Sequence, residues 1–541
     1  MTTRDDGPEQ LDIVIVGAGF SGLYMLYKAR GLGLSARVLE AADGVGGTWY
    51  WNRYPGARVD VESHEYSYSF SAELEETWNW SERYAAQPEL LRYLNHVADR
   101  FDLRRDIRFE TRVTSAVFDE AAHRWLVTTN TGERIFARYC VMATGCLSVP
   151  KAIDIPGADT FRGEVYRTSD WPREGVDFRG KRVGVVGTGS SAVQTITEIA
   201  PHVGSLHIFQ RTPSFSIPAH NGPANPDVVR DWRANRESRR QAERDHPIGI
   251  VAAVVTEKLA METPAEERNR EYEQRWAKGG FAIGGVYMDF LVTKEANDTF
   301  VDFLAEKVRG IVKDPETAEK LIPRTYPVGS KRICVDTGYF EVFNRDNVTL
   351  VDVSRTPITV TPQGVKAGEA EYEVDCLVYA LGFDAMTGAL DRIDIRGRGG
   401  IALKEKWGAG PRTYLGLMVA GFPNLFVVTG PGSPSVLSNM VVSIEQHVDW
   451  ISDCIATMGE RQMDVIEATE AAEEMWVAHV NEVAGMTLYP QAASWYMGAN
   501  VPGKPRIFMP YAAGVGVYRQ LCNDVVTKGY EGFAMSSSAR R

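Results

Sequence analysis

The sequence predicts an α/β protein with two parallel-sheet domains of the doubly wound kind, one of them interrupted, and a helical insertion. Three observations carry this expectation. A strand–glycine turn–helix–strand unit opens the chain, the same grammar returns at Lys181, and strand-like runs reappear late, after a charged helical stretch between about 222 and 325. At roughly 150 residues per domain, 541 residues suit three to four domains.

In the opening unit, residues 11–16 form a short β-rich apolar run that ends at Gly17-Ala18-Gly19-Phe20-Ser21-Gly22. A helical pattern follows, with Leu23, Leu26 and Tyr27 on one face and Gly31 or Gly33 as its stop, and then a second strand over 36–40. In G-x-G-x-x-G the first glycine makes a tight turn, the second lets a pyrophosphate approach the backbone, and the third lets helix and strand pack. The phosphates rest on the unpaired N–H groups of the helix start. Gly17, Gly19 and Gly22 are therefore candidate cofactor-binding residues. Glu40 ends the second strand, 23 residues after Gly17. A carboxylate there accepts from the ribose hydroxyls of an adenosine without a 2′-phosphate, which suits FAD or NAD.

The second unit has a strand over 182–186, the turn Gly187-Thr188-Gly189-Ser190-Ser191-Ala192, a helix through Ile196 and Ile199, and a strand over 206–209. Arg211 takes the place of Glu40. A guanidinium binds a 2′-phosphate bidentately and offers no acceptor to a 2′-hydroxyl, so this site suits NADP, with Lys331 as a second cation. The two motifs start 170 residues apart, about one domain's length, so one domain can sit inside the other.

In the helical stretch, Thr263-Pro264-Ala265-Glu266 predicts a capping box with proline at the first helical position, and Gly279-Gly280 closes that helix. Phe300, Leu304, Val308 and Ile311 recur at helical spacing in the next one. The stretch carries no glycine-rich loop, metal cluster or nucleophile motif, so the expectation is a segment that shapes a pocket or covers a domain. Strand-like runs return over 348–351, 376–380 and 424–428, the last leading into Thr429-Gly430-Pro431-Gly432. The polar tail 536–541 is expected to be disordered.

Composition narrows the function. With 44% hydrophobic, 24% charged and 10% aromatic residues the chain reads as soluble and globular, neither disordered nor fibrous nor disulfide-stapled. Its 59 basic and 71 acidic residues give a net charge of −12 without basic runs, which excludes an electrostatic nucleic-acid binder. The longest aliphatic stretch, about 248–255, is too short to span a bilayer, and no secretory signal opens the chain. Six cysteines without C-x-x-C read as reduced thiols of a cytoplasmic protein, and nine histidines lack metal-ligand spacing. No metal and no protein partner is expected. Two dinucleotide sites of opposite ribose preference make sense as an NADPH-dependent flavoprotein, in which NADPH supplies hydride and FAD passes electrons onward. Without a redox-active C-x-x-C a disulfide reductase is excluded, which leaves an oxygen-activating monooxygenase or an NADPH oxidase.

The motifs also resemble those of the type I Baeyer–Villiger monooxygenases, over about residues 10–534. Gly46-Gly47-Thr48-Trp49-Tyr50-Trp51-Asn52-Arg53-Tyr54-Pro55-Gly56, continuing to Asp60, resembles that family's second flavin-side signature. Phe161 to Pro172 resembles its fingerprint F-x-G-x-x-x-H-x-x-x-W-P, with Arg167 where the family has histidine. Lys331-Arg332 in GSKRICVDTGYFEVFNRDNV, Trp495 in ASWYMGANVPGKP, and PGSPSVLSNM ending at Met440 are further matches. The last two look more like the phenylacetone and steroid monooxygenase branch than the cyclohexanone branch. Ala380-Leu381-Gly382 carries leucine where threonine is common.

The resemblance implies insertion of one oxygen atom from O2 beside a ketone carbonyl to give an ester or lactone, through a peroxyflavin anion and a Criegee adduct. A flavin monooxygenase acting on sulfides or amines, or an uncoupled NADPH oxidase or NADPH-binding protein, is the alternative. The implied FAD-binding domain covers 1–146 and 384–541, the NADPH-binding domain 147–217 and 331–383, and the helical insertion 218–330. Arg332 matches the catalytic arginine and Asp60 the carboxylate that positions it; Asp60, Gly47, Thr48 and Trp49 fall on the flavin side. Lys331, Arg211 and Thr212 are implied at the 2′-phosphate, Thr188, Gly189, Ser190 and Ser191 at the pyrophosphate, and Trp495 on a loop closing over NADP. Val61, Leu147, Val436, Leu437 and Met440 are implied to line the ketone pocket.

Overall fold

The computed structural model describes residues 8–537. Strand β1 (Glu9–Val16), helix α1 (Phe20–Gly31) and strand β2 (Ala36–Leu39) form the opening βαβ unit, with β1 parallel to β2. On its other side β1 runs parallel to β3 (Arg134–Met142). Ile13, Val14 and Ile15 are wholly buried, as expected of a central strand covered on both faces. Antiparallel strands Val113–Asp119 and Arg124–Thr129 extend this eight-stranded sheet beyond β3. Two late segments join it in parallel, Asp394–Arg396 against Val113–Asp119 and Leu425–Val427 against β3. The sheet is thus assembled from both ends of the chain.

The second sheet has five parallel strands in the order Val348–Asp352, β5 (Ser205–Gln210), β4 (Arg182–Val186), β6 (Cys376–Tyr379) and Glu164–Arg167. Helix α2 (Ser190–Ile199) follows β4. Two crossing segments join the sheets and pair antiparallel with one another. Lys151 N–H donates to Gly382 O (3.1 Å), Asp384 N–H to Val149 O (2.8 Å) and Met386 N–H to Cys146 O (2.8 Å). Among the described residues no helix is long and apolar enough to cross a membrane.

The segment between the two halves of the second sheet is helical, including α3 (Ala265–Lys278) and α4 (Lys294–Ile311). Gly279 (φ 75°) closes α3, and Phe300, Leu304 and Val308 are buried on one face of α4, as their spacing predicts. The expected capping box at Thr263 does not form. Pro264 occupies the cap position, and the Thr263 hydroxyl donates instead to Leu259 O (2.8 Å), a local backbone bond that competes with capping. The expected disordered tail also starts too early. Ser536 ends strand Phe533–Ser536 and pairs with Val465, while residues 538–541 lie outside the described residues.

Candidate active site

The first glycine turn is packed so tightly that side chains are excluded. Gly17 has φ 105°, and a Cβ on it would lie 2.7 Å from Ala143 O; one on Gly22 would lie 1.8 Å from Gly17 O. Gly47 (φ 53°) backs onto the same turn, where an added Cβ would come within 2.9 Å of Gly19 Cα. The Gly46 N–H donates to Ala18 O (3.0 Å), so the signature loop and the glycine turn form one cradle. Thr48 and Trp49 begin the short helix after it, with Trp49 buried and Thr48 exposed. Helix α1 starts with no side-chain cap and no acidic residue in its first turn, leaving its N–H groups for an anion. Glu40 is buried, with Ala18 N–H donating to one carboxylate oxygen (2.6 Å) and Ala42 N–H to the other (2.8 Å). Burial raises its pKa while these N–H groups pull the other way, and each oxygen keeps a lone pair for a ribose hydroxyl.

The second turn repeats the geometry with one change. Gly187 has φ 117°, and its added Cβ would meet Ala380 O at 2.5 Å, whereas one on Gly189 meets nothing within 4 Å, leaving the backbone open to a ligand. Helix α2 also starts uncapped, and Ala192 is wholly buried at the third motif position. The Thr188 hydroxyl donates to Thr212 O (2.7 Å), tying this turn to the segment after β5, and Ser190 Oγ lies 3.6 Å from Cys334 Sγ. The side chains of Thr188 and Ser190 thus brace the protein, while the backbone remains for phosphate. Arg211 is exposed at the end of β5. Lys331 Nζ sits 4.2 Å from the Tyr326 ring centroid, and Tyr326 OH donates to Pro213 O (2.9 Å). Burial, and then the charge of Arg211, lower the Lys331 pKa. Lys151 responds to burial and Arg211 in the same way, with Asp384 opposing. No motif marked Lys151, because a lone lysine in a linker has no signature.

Between the two sheets, Arg332 and Asp60 meet as a two-pronged ion pair. Arg332 Nε donates to Asp60 Oδ2 (2.9 Å) and Nη2 to Asp60 Oδ1 (2.8 Å), while Nη1 donates to Val436 O (3.3 Å). Three of the five guanidinium N–H groups are thereby committed and two remain. Burial opposes the charge, but the charge and hydrogen bonds of Asp60 outweigh it and hold the arginine pKa above its ordinary value. Phe281 lies against the guanidinium, 4.5 Å from ring centroid to carbon. The phenols of Tyr66, Tyr489 and Tyr496 feel the arginine's charge and are raised chiefly by burial, Tyr489 to about 12, so all three stay protonated. Sequence reasoning singled out none of these four aromatic residues: Phe281, Tyr66 and Tyr489 lie outside the motifs, and Tyr496 lies unmarked within the Trp495 stretch.

Leu147, Val436, Leu437, Met440 and Trp495 share one apolar cluster with Cys146, Tyr496 and Met509. Val61 does not join them; it is 2% exposed in the main core. Trp495 opens a short turn that ends at Gly498 (φ 66°). Beyond it, Asn500 Nδ2 donates to Phe383 O (2.7 Å) and Lys504 Nζ pairs with Asp384 (2.7 Å), so this loop is docked on a crossing segment. The fingerprint divides into two parts. Trp171 is buried against Tyr166 and Phe178, while Arg167 is exposed at the end of an edge strand, opposite Tyr379. The Tyr54-Pro55-Gly56 turn rests on α2, with Tyr54 OH donating to Gln194 Oε1 (2.8 Å). One short stretch thus touches the first glycine turn and the helix after the second before delivering Asp60.

Two glycine turns leading into uncapped helices, one followed by the buried carboxylate of Glu40 and the other by the exposed guanidinium of Arg211, together with the Arg332–Asp60 pair, fit an oxidoreductase that works with two dinucleotides. A family model described as pyridine nucleotide-disulphide oxidoreductase matches residues 14–262. A Baeyer-Villiger monooxygenase of Pseudooceanicola batsensis is 41% identical, covering 98% of this chain and 97% of that protein. Among solved structures, an oxidized steroid monooxygenase bound to NADP superposes with TM-score 0.94 at 50% identity, covering 98% of this chain and 100% of that one. The complex of OTEMO with FAD and NADP gives TM-score 0.94 at 39% identity over the same shares. The chain belongs to the Baeyer–Villiger monooxygenase family.

Proposed function

We propose that this protein uses FAD, NADPH and O2 to insert one oxygen atom beside a ketone carbonyl, giving an ester or lactone. The two-pronged Arg332–Asp60 pair carries the reading. The cradles fit the cofactors. Gly17, Gly19, Gly22, Glu40, Gly47, Thr48, Trp49 and Asp60 would hold FAD, and Gly187 to Ser191, Arg211, Thr212, Lys331 and Trp495 would hold NADPH. When bound, these groups would supply the two electrons that activate O2, one atom of which goes to the product and the other to water. The protein's own part is electrostatic. Arg332 stays charged at working pH, so its two uncommitted N–H groups stabilise negative charge on oxygen without giving up a proton. Asp60 holds one edge of the fork, and the cluster of Leu147, Val436, Leu437 and Met440 keeps water from the carbonyl. The likeness to a steroid monooxygenase supports a bulky cyclic, steroid or aryl-alkyl ketone. Six free, buried thiols support a cytoplasmic setting.

The test is a panel of small, aromatic and steroidal ketones given to the FAD-loaded enzyme with NADPH and oxygen. The expected product is one oxygen atom heavier than its ketone. NADPH consumption that yields hydrogen peroxide alone, whatever the ketone, sinks the reading. Cofactor preference has its own check. Arg211→Ala is expected to raise KM for NADPH by about 10- to 100-fold, the worth of a charge-assisted contact, while KM for NADH stays within about twofold. Equal losses with both cofactors would place Arg211 outside the 2′-phosphate site.

A further inference from the structure

Phe281 reaches Arg332 from the helical insertion, a segment to which neither the glycine motifs nor the fingerprint gives a chemical task. Its position is tightly fixed. Phe281 lies in the short turn Gly280–Ile283 directly after α3 and is 9% exposed. Gly279 and Gly280 both have positive φ (75° and 57°), and their added Cβ atoms would fall 2.7 Å from Pro218 O and 1.9 Å from Tyr84 OH. Tyr84 in turn belongs to the stretch that braces Asp60, since Arg58 Nη1 donates to Tyr84 O (3.3 Å) and Val59 N–H to Ala85 O (3.1 Å). From the other side, Arg275, itself buried, donates to Ala282 O (2.8 Å) and ties the turn to α3. One set of contacts therefore fixes both the carboxylate and the aromatic ring that meet Arg332.

The two contacts act in different directions. Asp60 grips one edge of the guanidinium and sets its in-plane orientation, and the longer Nη1 bond to Val436 O (3.3 Å) opposes rotation about that edge only weakly. An aromatic face attracts a cation and leaves no room for water on that side. We propose that Phe281 is a positioning residue for Arg332, its ring fixing the guanidinium plane so that the two uncommitted N–H groups hold their direction. The helical insertion is then part of the catalytic centre instead of a cover over it. This rests on the reading of Arg332 given above.

Phe281→Leu keeps an apolar side chain and removes the ring; Phe281→Tyr keeps the ring. Each half-reaction of the FAD-loaded enzyme is measured separately. With Phe281→Leu, flavin reduction by NADPH is expected within about twofold of the parent. Ester formation falls about tenfold, as loss of a partly desolvated cation–aromatic contact implies, and hydrogen peroxide per NADPH rises. Phe281→Tyr restores both. In an Arg332→Ala background, Phe281→Leu adds no further loss. Parent-like ester formation in Phe281→Leu overturns the inference, as does equal slowing of both half-reactions or the same tenfold loss without the arginine. If Arg332→Ala itself leaves ester formation intact, it is the function reading that falls, and this inference falls with it.

Discussion

Arg332→Ala is expected to reduce its flavin with NADPH at close to the parent rate and to lose ester formation by about 100- to 1,000-fold. The split follows from the site's layout. The close contacts at the two glycine turns, and the Lys331 contact with Tyr326, do not involve the Arg332 guanidinium, so removing it leaves them in place. What disappears is the donor that meets developing negative charge on oxygen, a loss of roughly 3 to 4 kcal/mol when such a donor is preorganised in a dry site. Arg332→Lys sharpens the test. Lysine keeps the charge but lacks the planar fork that makes two parallel bonds to Asp60 (2.9 and 2.8 Å), so it is expected to recover only a small part of the loss. Stopped-flow absorbance follows flavin reduction, and product chromatography follows the ester. An Arg332→Ala enzyme that still oxygenates ketones near the parent rate would remove this family's chemistry from the residue.

Much of this centre was legible because local chemistry forces it. A glycine turn between a strand and a helix has few other uses, and Glu40 and Arg211, 23 and 24 residues after Gly17 and Gly187, carry opposite charge, which is what the proposed ribose preferences rest on. The parallel strands were legible as apolar runs, and β4 falls where the pattern places it, at Arg182–Val186. Arg332 and Asp60 were named through a family resemblance; no spacing links residues 272 positions apart. The ring of Phe281 and the phenols of Tyr66, Tyr489 and Tyr496 were not named at all. An aromatic residue in a loop looks the same whether it packs in a core or faces a guanidinium, and only the folded chain decides. Val61 shows the opposite error, since its neighbour Asp60 pairs with Arg332 while Val61 itself enters the main core. The Thr263 cap failed for a different reason, because its hydroxyl had a nearer backbone partner.

Gly22→Ala is expected to yield a folded protein that purifies without flavin and binds FAD at least 100-fold more weakly than the parent. Intrinsic preference argues for the opposite sign, since alanine is favoured over glycine within a helix by about 1 kcal/mol. Space decides against it. The added methyl would lie 1.8 Å from Gly17 O, far inside contact distance, and the nearest atom is backbone in the turn that must receive pyrophosphate. Helix α1 can relieve the clash only by moving off β1, which shifts its uncapped N–H groups away from the phosphates they serve. The same motif position in the second unit is the control. Ala192 is already accommodated there, wholly buried, so Ala192→Gly is expected to cost only about 1 kcal/mol of stability and to leave KM for NADPH within a few-fold. Flavin absorbance of the purified protein, FAD titration and circular dichroism separate cofactor loss from unfolding. A Gly22→Ala protein that holds FAD as tightly as the parent would show that the turn can yield, and the tight cradle would then no longer explain why glycine stands there.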